Sequence, residues 1–356
     1  MVQTKKERDF LFDNYKAFLI IMVVIGHFLQ PCYKNNIVLN ILKIFIYTFH
    51  MPAFVFVSGY FSKKNVSWKT AVQKMLIPYL SFQVIYYMYY TYGIGIDTKW
   101  TLEYPKFSLW YLLALFAWKL ITPYFRKLPH FFLISLGMGV GFGCLELTGT
   151  YLSISRIVVF YPFFLAGMLF DRNSLAKWRA MKYRCLSVVS LGLLTFVSVV
   201  CVRFGEFRLS YFYGKASFES LGLSNLEGVL VRVICYGFGF AFTYLFAVLM
   251  TEKEIRISKL GRSTMSIYLF HGLLFKFMEN KTTILESVNT APEVVVLLMF
   301  CLGIAYVFSL TPFVNVANVF SSVSLEMVPI QNWVRCMKYS MCMTVPAFVF
   351  KIEEYS

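Results

Sequence analysis

DNYKAFLIIMVVIGH, residues 13–27, opens with an acid and a base, runs through an apolar stretch and ends on an imidazole. Asp13, Lys16 and His27 are separated by 3 and 11 residues. At 100° per residue, 11 steps return to within about 20° of the start, and the 14 from Asp13 to His27 to within about 40°. A helix here carries all three on one face, with His27 roughly 16 Å above Lys16. Ionisable groups beside hydrocarbon are costly and mark function by default. The segment therefore reads as a membrane span with a polar stripe from its charged end to mid-depth.

The whole chain fits that reading. Of its 356 residues, 58% are hydrophobic and only 15% charged, against roughly a quarter charged in a soluble domain. Such a chain cannot cover a water-facing surface, and an all-α polytopic membrane protein is the expected class. The net charge of +16 does not point to nucleic acid, because the basic residues sit in short clusters between apolar runs, as loops at a membrane face do. Ten stretches have the length and apolarity of spans: 14–31, 37–60, 71–92, 107–123, 130–149, 151–170, 185–204, 228–250, 262–279 and 292–314. No small-residue cleavage site follows the first, so it is expected to be retained. Lys and Arg concentrate in the segments that face the cytoplasm when the N-terminus is cytoplasmic, among them Lys63, Lys64, Lys69 and Lys74. Both termini are then cytoplasmic. Residues 1–314 form one membrane-embedded domain, and 315–356 an interfacial or cytoplasmic tail.

Other polar groups fall inside expected spans. FHMPAFVFVSGYF, residues 49–61, holds His50 and Pro52 in mid-span, with Lys43 two helical turns earlier on the face of His50. Proline frees a carbonyl and bends a helix, which makes room for polar groups away from lipid. Ser58 and Gly59 permit close helix approach. His271, in STMSIYLFHG, also falls near mid-depth. Each histidine has a plain structural reading, satisfying a neighbouring carbonyl or hydroxyl, and a functional one, passing a proton near neutral pH. A metal site built from the three is not specified by their spacing. His130 lies at a loop boundary and is expected at the interface. Arg156, near the outer end of its span, either snorkels or holds an anionic or hydroxyl-rich substrate, with Glu146 of the preceding loop as a partner. Trp110 belongs either to an aromatic belt or to a sugar-stacking platform. The eight cysteines lack zinc spacing and read as small buried apolar residues.

DNYKAFLIIMVVIGHF resembles the first-span signature of the acyltransferase family 3 integral membrane proteins, Asp-x-x-Arg/Lys followed by His eleven residues after the base. FHMPAFVFVSGYFSKK resembles their second-span motif. KMLIPYL, SLWYLLALF, SRIVVFYPFFLAG and GRSTMSIYLFHG are similar to the branch described as fucose 4-O-acetylase-like, and the likeness runs from about residue 8 to 315. The resemblance implies transfer of an acyl group, usually acetyl, from cytoplasmic acyl-CoA to a hydroxyl of an extracytoplasmic or lipid-linked glycan, with no metal cofactor. It implies that His27 is the essential histidine and Lys16 its basic partner. The family's basic pair before the third span is met only loosely, by Lys69 and Lys74, and the acidic residue some branches carry after Trp-Ser-Leu is missing from SLWYLLALF.

With that family in view, Asp13, Lys16, His27 and His50 are the expected catalytic group. Lys16, Lys64, Lys69 and Lys74 are expected to hold acyl-CoA phosphates, and Arg156, Glu146, Trp110, His271 and Lys43 to contact substrate; His50 or Lys43 would stabilise the oxyanion. A bacterial cytoplasmic membrane, a glycan acceptor and a separate polysaccharide synthesis or export partner follow from the family. Transport of a glycan or small anion is the competing class, and consumption of acyl-CoA separates the two.

Overall fold

The computed structural model describes residues 8–64, 66–145, 151–205 and 207–322. Among them every regular element is helical: α1 (Phe10–Phe28), α2 (Ile37–Tyr60), α3 (Trp68–Ala71), α4 (Ile77–Met88), α5 (Trp110–Phe125), α6 (Phe131–Gly141), α7 (Ile154–Leu169), α8 (Met181–Phe204), α9 (Asn225–Leu249), α10 (Ser258–Arg262), α11 (Thr264–Lys281), α12 (Ala291–Val307) and α13 (Thr311–Ser322). A π-helical turn, Val72–Leu76, joins α3 to α4, and another, Tyr89–Gly93, prolongs α4. Each of the ten expected spans coincides with a helix or a run of helices. Five are long and apolar enough to cross a membrane individually, those that include α1, α2, α7, α8 and α9. The pair α12–α13 makes a sixth if it is one span bent by 58°. Three of the remaining four stretches fall short for visible reasons. The run from Trp68 to Gly93 is interrupted by π turns, α5 has 16 residues and α6 has 11. Helix α13 starts at Thr311 and runs on to Ser322, through the expected start of the tail at 315; the rest of that tail lies outside the described residues.

α2 is the central element. It packs against α7, α9, α1 and α8, and its contact with α7 is the most extensive in the bundle. The reason is a pair of glycines. A Cβ on Gly59 of α2 would stand 1.9 Å from the carbonyl oxygen of Phe164, and one on Gly167 of α7 would stand 1.9 Å from that of Phe56. The two backbones therefore touch, as small residues allow between membrane helices, and the expectation for Gly59 holds. α1 is held at its charged end by the fully polar residue Asn14, whose amide donates to the carbonyls of Thr251 and Lys253, each at 2.9 Å, while its oxygen accepts from Ser258. There Gly261 of α10 lies directly on the carbonyl of Asp13. α8, by contrast, is only 17% buried along its apolar window and presents Val188, Val189, Leu193 and Phe196 outward, as a lipid-facing helix does.

The cysteines divide. Cys32, Cys235 and Cys301 are buried as expected, whereas Cys144 and Cys185 are exposed; Cys185 lies on α8, whose outer surface needs only to be apolar. Cys336 and Cys342 lie outside the described residues. His130, exposed at the start of α6 with φ of 51°, is a boundary residue as expected.

The glycine crossing gives a direct test. Gly59→Ala is expected to cost about 1–3 kcal/mol through overpacking, read as a lower unfolding temperature of the detergent-purified protein. Gly137→Ala, with open space around its Cβ position on α6, is expected to be neutral or slightly stabilising.

Candidate active site

α1 ends early. Its last residue is Phe28, so His27 sits in the terminal turn and not, as expected, partway along a longer helix. The chain turns immediately after it, through Gln30 and Pro31. A helix end leaves carbonyls without intrahelical donors. One of them, Gly26 O, accepts from Lys43 Nζ at 2.9 Å. The same ammonium donates to Gln30 Oε1 and lies 3.8 Å from the Tyr47 ring centroid. Lys43 is fully buried. Its place at the C-terminus of α1 opposes the helix dipole. It supports the end of α1 and is not among the residues that line the cavity, where a substrate or oxyanion contact was expected.

The cavity beside His27 has a volume of about 260 Å³. Its walls include Gln30, Tyr47, His50, Met51, Phe107, Ser108, Trp110, Arg156, Phe160, Phe212, Tyr213 and Lys215. Three of the expected residues, His50, Trp110 and Arg156, are thus brought to His27 from α2, α5 and α7. His50 Nδ1 stands 2.7 Å from the carbonyl of Ile46. A carbonyl only accepts, so Nδ1 carries the proton and Nε2 of the neutral ring is a bare acceptor. The Arg156 guanidinium lies 4.7 Å from the Trp110 ring centroid, and Trp110 is itself buried. Arg156 and Trp110 thus line one cavity together, the cation stacked on the indole.

A second, smaller cavity of about 30 Å³ adjoins the same histidine and shares Met51, Ser108 and Trp110 with the first. Its own walls, Val23, Phe54, Tyr111 and Tyr268, lie towards the charged end of α1. His27 thus stands between two voids. Tyr111, which lines the smaller one, is joined to Ser58 by a hydrogen bond.

The loop before α5 supplies residues that sequence reasoning did not single out. Gln83, fully buried, donates to the carbonyls of Thr101 and Tyr104 at 2.8 Å and accepts from Lys106 N at 3.0 Å. Tyr268 donates to the Ser108 carbonyl. Held at both ends, the loop places Phe107 in the left-handed region with φ of 49°, uncommon for a bulky residue. The Phe107 ring packs 4.5 Å from that of His27. Among the described residues the buried hydroxyl of Ser108 has no hydrogen-bond partner. Tyr213 and Lys215 come from the segment after α8, where no periodicity marks them.

The other expected residues lie elsewhere. Asp13 is buried and paired with Lys16 Nζ at 2.9 Å and Arg8 Nε at 2.8 Å. It stands about 21 Å along α1 from His27, so neither Asp13 nor Lys16 touches groups at the histidine. Both belong to the basic end of the bundle. There Lys16 Nζ lies 4.5 Å from the Phe61 ring centroid, and Lys64 and Lys119 line one cleft. Lys64, Lys69 and Lys74 are exposed. His271 does not line the large cavity; its ring is fully buried behind His27, with centroids 5.4 Å apart. Glu146 lies outside the described residues. Among the described residues no three metal-ligating side chains converge.

A catalytic-type histidine at the meeting point of two cavities suits group transfer, and comparison with known proteins agrees. The family model described as "Acyltransferase domain" matches residues 11–310. The chain belongs to acyltransferase family 3. It is a multi-pass membrane acyltransferase, as the first-span motif implied. Two curated relatives are each named nodulation protein NolL. That of Sinorhizobium fredii is 27% identical over 76% of this chain and 79% of its own length. That of Mesorhizobium japonicum is 24% identical over 76% and 78%. No solved structure matches significantly.

Arg156→Lys in this acyltransferase removes the planar stack on Trp110 and the forked donors. The expected result is a rise of about tenfold in KM for the acceptor with KM for the acyl donor unchanged, measured by steady-state transfer with purified protein.

Proposed function

We propose that the protein transfers an acyl group, acetyl in the first instance, from cytoplasmic acyl-CoA to a hydroxyl of an extracytoplasmic or lipid-linked glycan. The setting is a bacterial cytoplasmic membrane crossed about ten times, with both termini on the donor side. The observation that carries this reading is the position of His27 between the two cavities. The larger opens among Tyr213, Lys215 and Arg156, and the smaller points towards the basic end where Lys16, Lys64 and Lys119 gather.

Charge at that end attracts the phosphates of acyl-CoA. Lys64, Lys69 and Lys74 are exposed there, and as lysines they act as point charges, without the bidentate fit of arginine. The thin pantetheine arm then passes between α2 and α5, through the position now closed by Ser58 and Tyr111, and brings the thioester to His27. The sugar occupies the large cavity, whose size suits a single ring at the low end of small-molecule sites. Arg156 and Trp110 orient it.

In the chemical step His27 takes the hydroxyl proton while the hydroxyl oxygen bonds to the thioester carbonyl carbon. The tetrahedral oxyanion collapses, the carbon–sulfur bond breaks, and His27 returns the proton to the CoA sulfur. The products are the ester and free CoA thiol. The oxyanion needs a donor. Lys43 is committed to Gly26 and Gln30, and His50 has spent its only proton on Ile46. The unpartnered Ser108 hydroxyl, which lines both cavities, takes that role.

Transfer is tested with labelled acetyl-CoA and a glycan acceptor, using wild type and His27→Ala at matched folded amounts. Loss of transfer by at least about a hundredfold in the variant is expected. Acetyl-CoA left intact by wild type, with glycan moving across the membrane, would favour transport instead. Lys64→Ala combined with Lys74→Ala is expected to raise KM for acyl-CoA several-fold, on the order of what added salt does to exposed charges, with kcat little changed.

A further inference from the structure

The wall behind His27 holds an unusual atom. His271 Nδ1 stands 3.0 Å from the Ile267 carbonyl, so Nδ1–H is the donor and Nε2 is left as a lone-pair acceptor. That Nε2 is buried and, among the described residues, has no hydrogen-bond partner. A buried acceptor without a partner costs about 1–3 kcal/mol and in a native site calls for an explanation. Its ring lies 5.4 Å from that of His27, centroid to centroid, and both rings pack on Phe107, at 4.5 Å for His27 and 5.7 Å for His271. Phe107 thus packs on both rings, and the loop that carries it, with φ of 49° at Phe107, is held by Gln83 and Tyr268.

A histidine that acts as a base commonly has its second nitrogen oriented by an acceptor, most often a carboxylate. None of the ion pairs or hydrogen bonds found among the described residues joins His27 to one. The nearest acid along α11, Glu279, is bound to Lys276 at 2.5 Å. We propose that His271 is the orienting partner of His27, a neutral imidazole in the place where other base histidines have a carboxylate. The two rings are close enough that a small rotation of His27 in the reacting complex brings its far N–H onto this Nε2, which is unpartnered among the described residues in the structure itself. That fixes which His27 nitrogen faces the acceptor hydroxyl, and it stabilises the imidazolium that forms as the hydroxyl proton is taken up. The proton stays on His27 until it passes to the CoA sulfur; His271 accepts a hydrogen bond and no proton. A neutral partner also avoids placing an isolated carboxylate within the membrane. His271 is thus a positioning residue and rests on the reading of His27 as the base.

The test compares His271→Phe and His271→Gln with wild type in detergent, following acyl-CoA consumption and acyl transfer. The phenyl ring fills the space without an acceptor atom; the Gln side-chain oxygen restores one. The expected result is a loss in kcat on the order of a hundredfold for His271→Phe, with KM for donor and acceptor within about threefold of wild type, and recovery of at least tenfold of that loss in His271→Gln. Unfolding temperature is measured for both, so that a folding defect is seen separately. Unchanged kcat in a folded His271→Phe would overturn the proposal, as would equal losses in the two variants. If wild type itself consumed no acyl-CoA, or His27→Ala kept full activity, the reading of His27 as the base would fail independently of its partner.

Discussion

The Lys43 ammonium, buried against the Gly26 carbonyl at 2.9 Å, is the contact on which the site depends. It closes α1 at Phe28 by donating to an open carbonyl, and it does so from α2, the helix that also carries Tyr47 and His50. The terminal turn of α1 and the middle of α2 are thereby fixed at one depth. His27 and His50 then face one void, and Gln30, bonded to the same ammonium, lines it. A buried cation is expensive unless its hydrogen bonds are made. Here two acceptors and the face of Tyr47 offset that cost, and the irregular backbone after Phe28 lies against protein instead of lipid.

The bundle around this contact separates two tasks by face. At the end where α1 begins, basic side chains gather, and Asp13 neutralises part of the charge while holding Lys16 in place. The reciprocal glycines of α2 and α7 bring those backbones together. Between α2 and α5, where the proposed donor route runs, a single hydrogen bond from side chain to side chain joins Ser58 and Tyr111. At the other end, residues 107–108 before α5 and 212–215 before α9 complete a wall built mainly by α1, α2, α5 and α7. Loops placed on a rigid helical frame are common carriers of binding residues, and the two NolL relatives share only about a quarter of their residues with this chain.

Much of this was legible in the sequence. Ionisable residues at helical spacing in apolar runs located His27, His50 and Lys43, and the small pair Ser58–Gly59 pointed to a close crossing. Periodicity could place Lys43 and His50 on one face, yet it could not tell that Lys43 reaches back to cap α1, because that depends on where α1 stops. It could not tell that Trp110 carries the Arg156 stack, since a belt tryptophan also occurs near the outer end of a span. Ser108, Phe107 and Tyr213 were invisible because loop residues carry no period. The strained φ of Phe107 and the bare nitrogen of His271 are properties of packing, which a pattern of residue types does not encode. Span counting was limited for a related reason: π turns and a 58° bend interrupt stretches that are continuous in hydropathy.

The central claim is that donor and acceptor meet at His27 from opposite faces. It is tested most directly by reconstituting the protein in sealed vesicles, with acetyl-CoA supplied on one side only and a membrane-impermeant sugar acceptor on the other. Sidedness of the inserted protein is fixed by protease accessibility of a tag on the N-terminus. The account predicts acylated sugar on the side opposite the N-terminus, formed when acetyl-CoA is on the N-terminal side and absent when the two substrates are exchanged. Product formed only when both substrates share one side would contradict it.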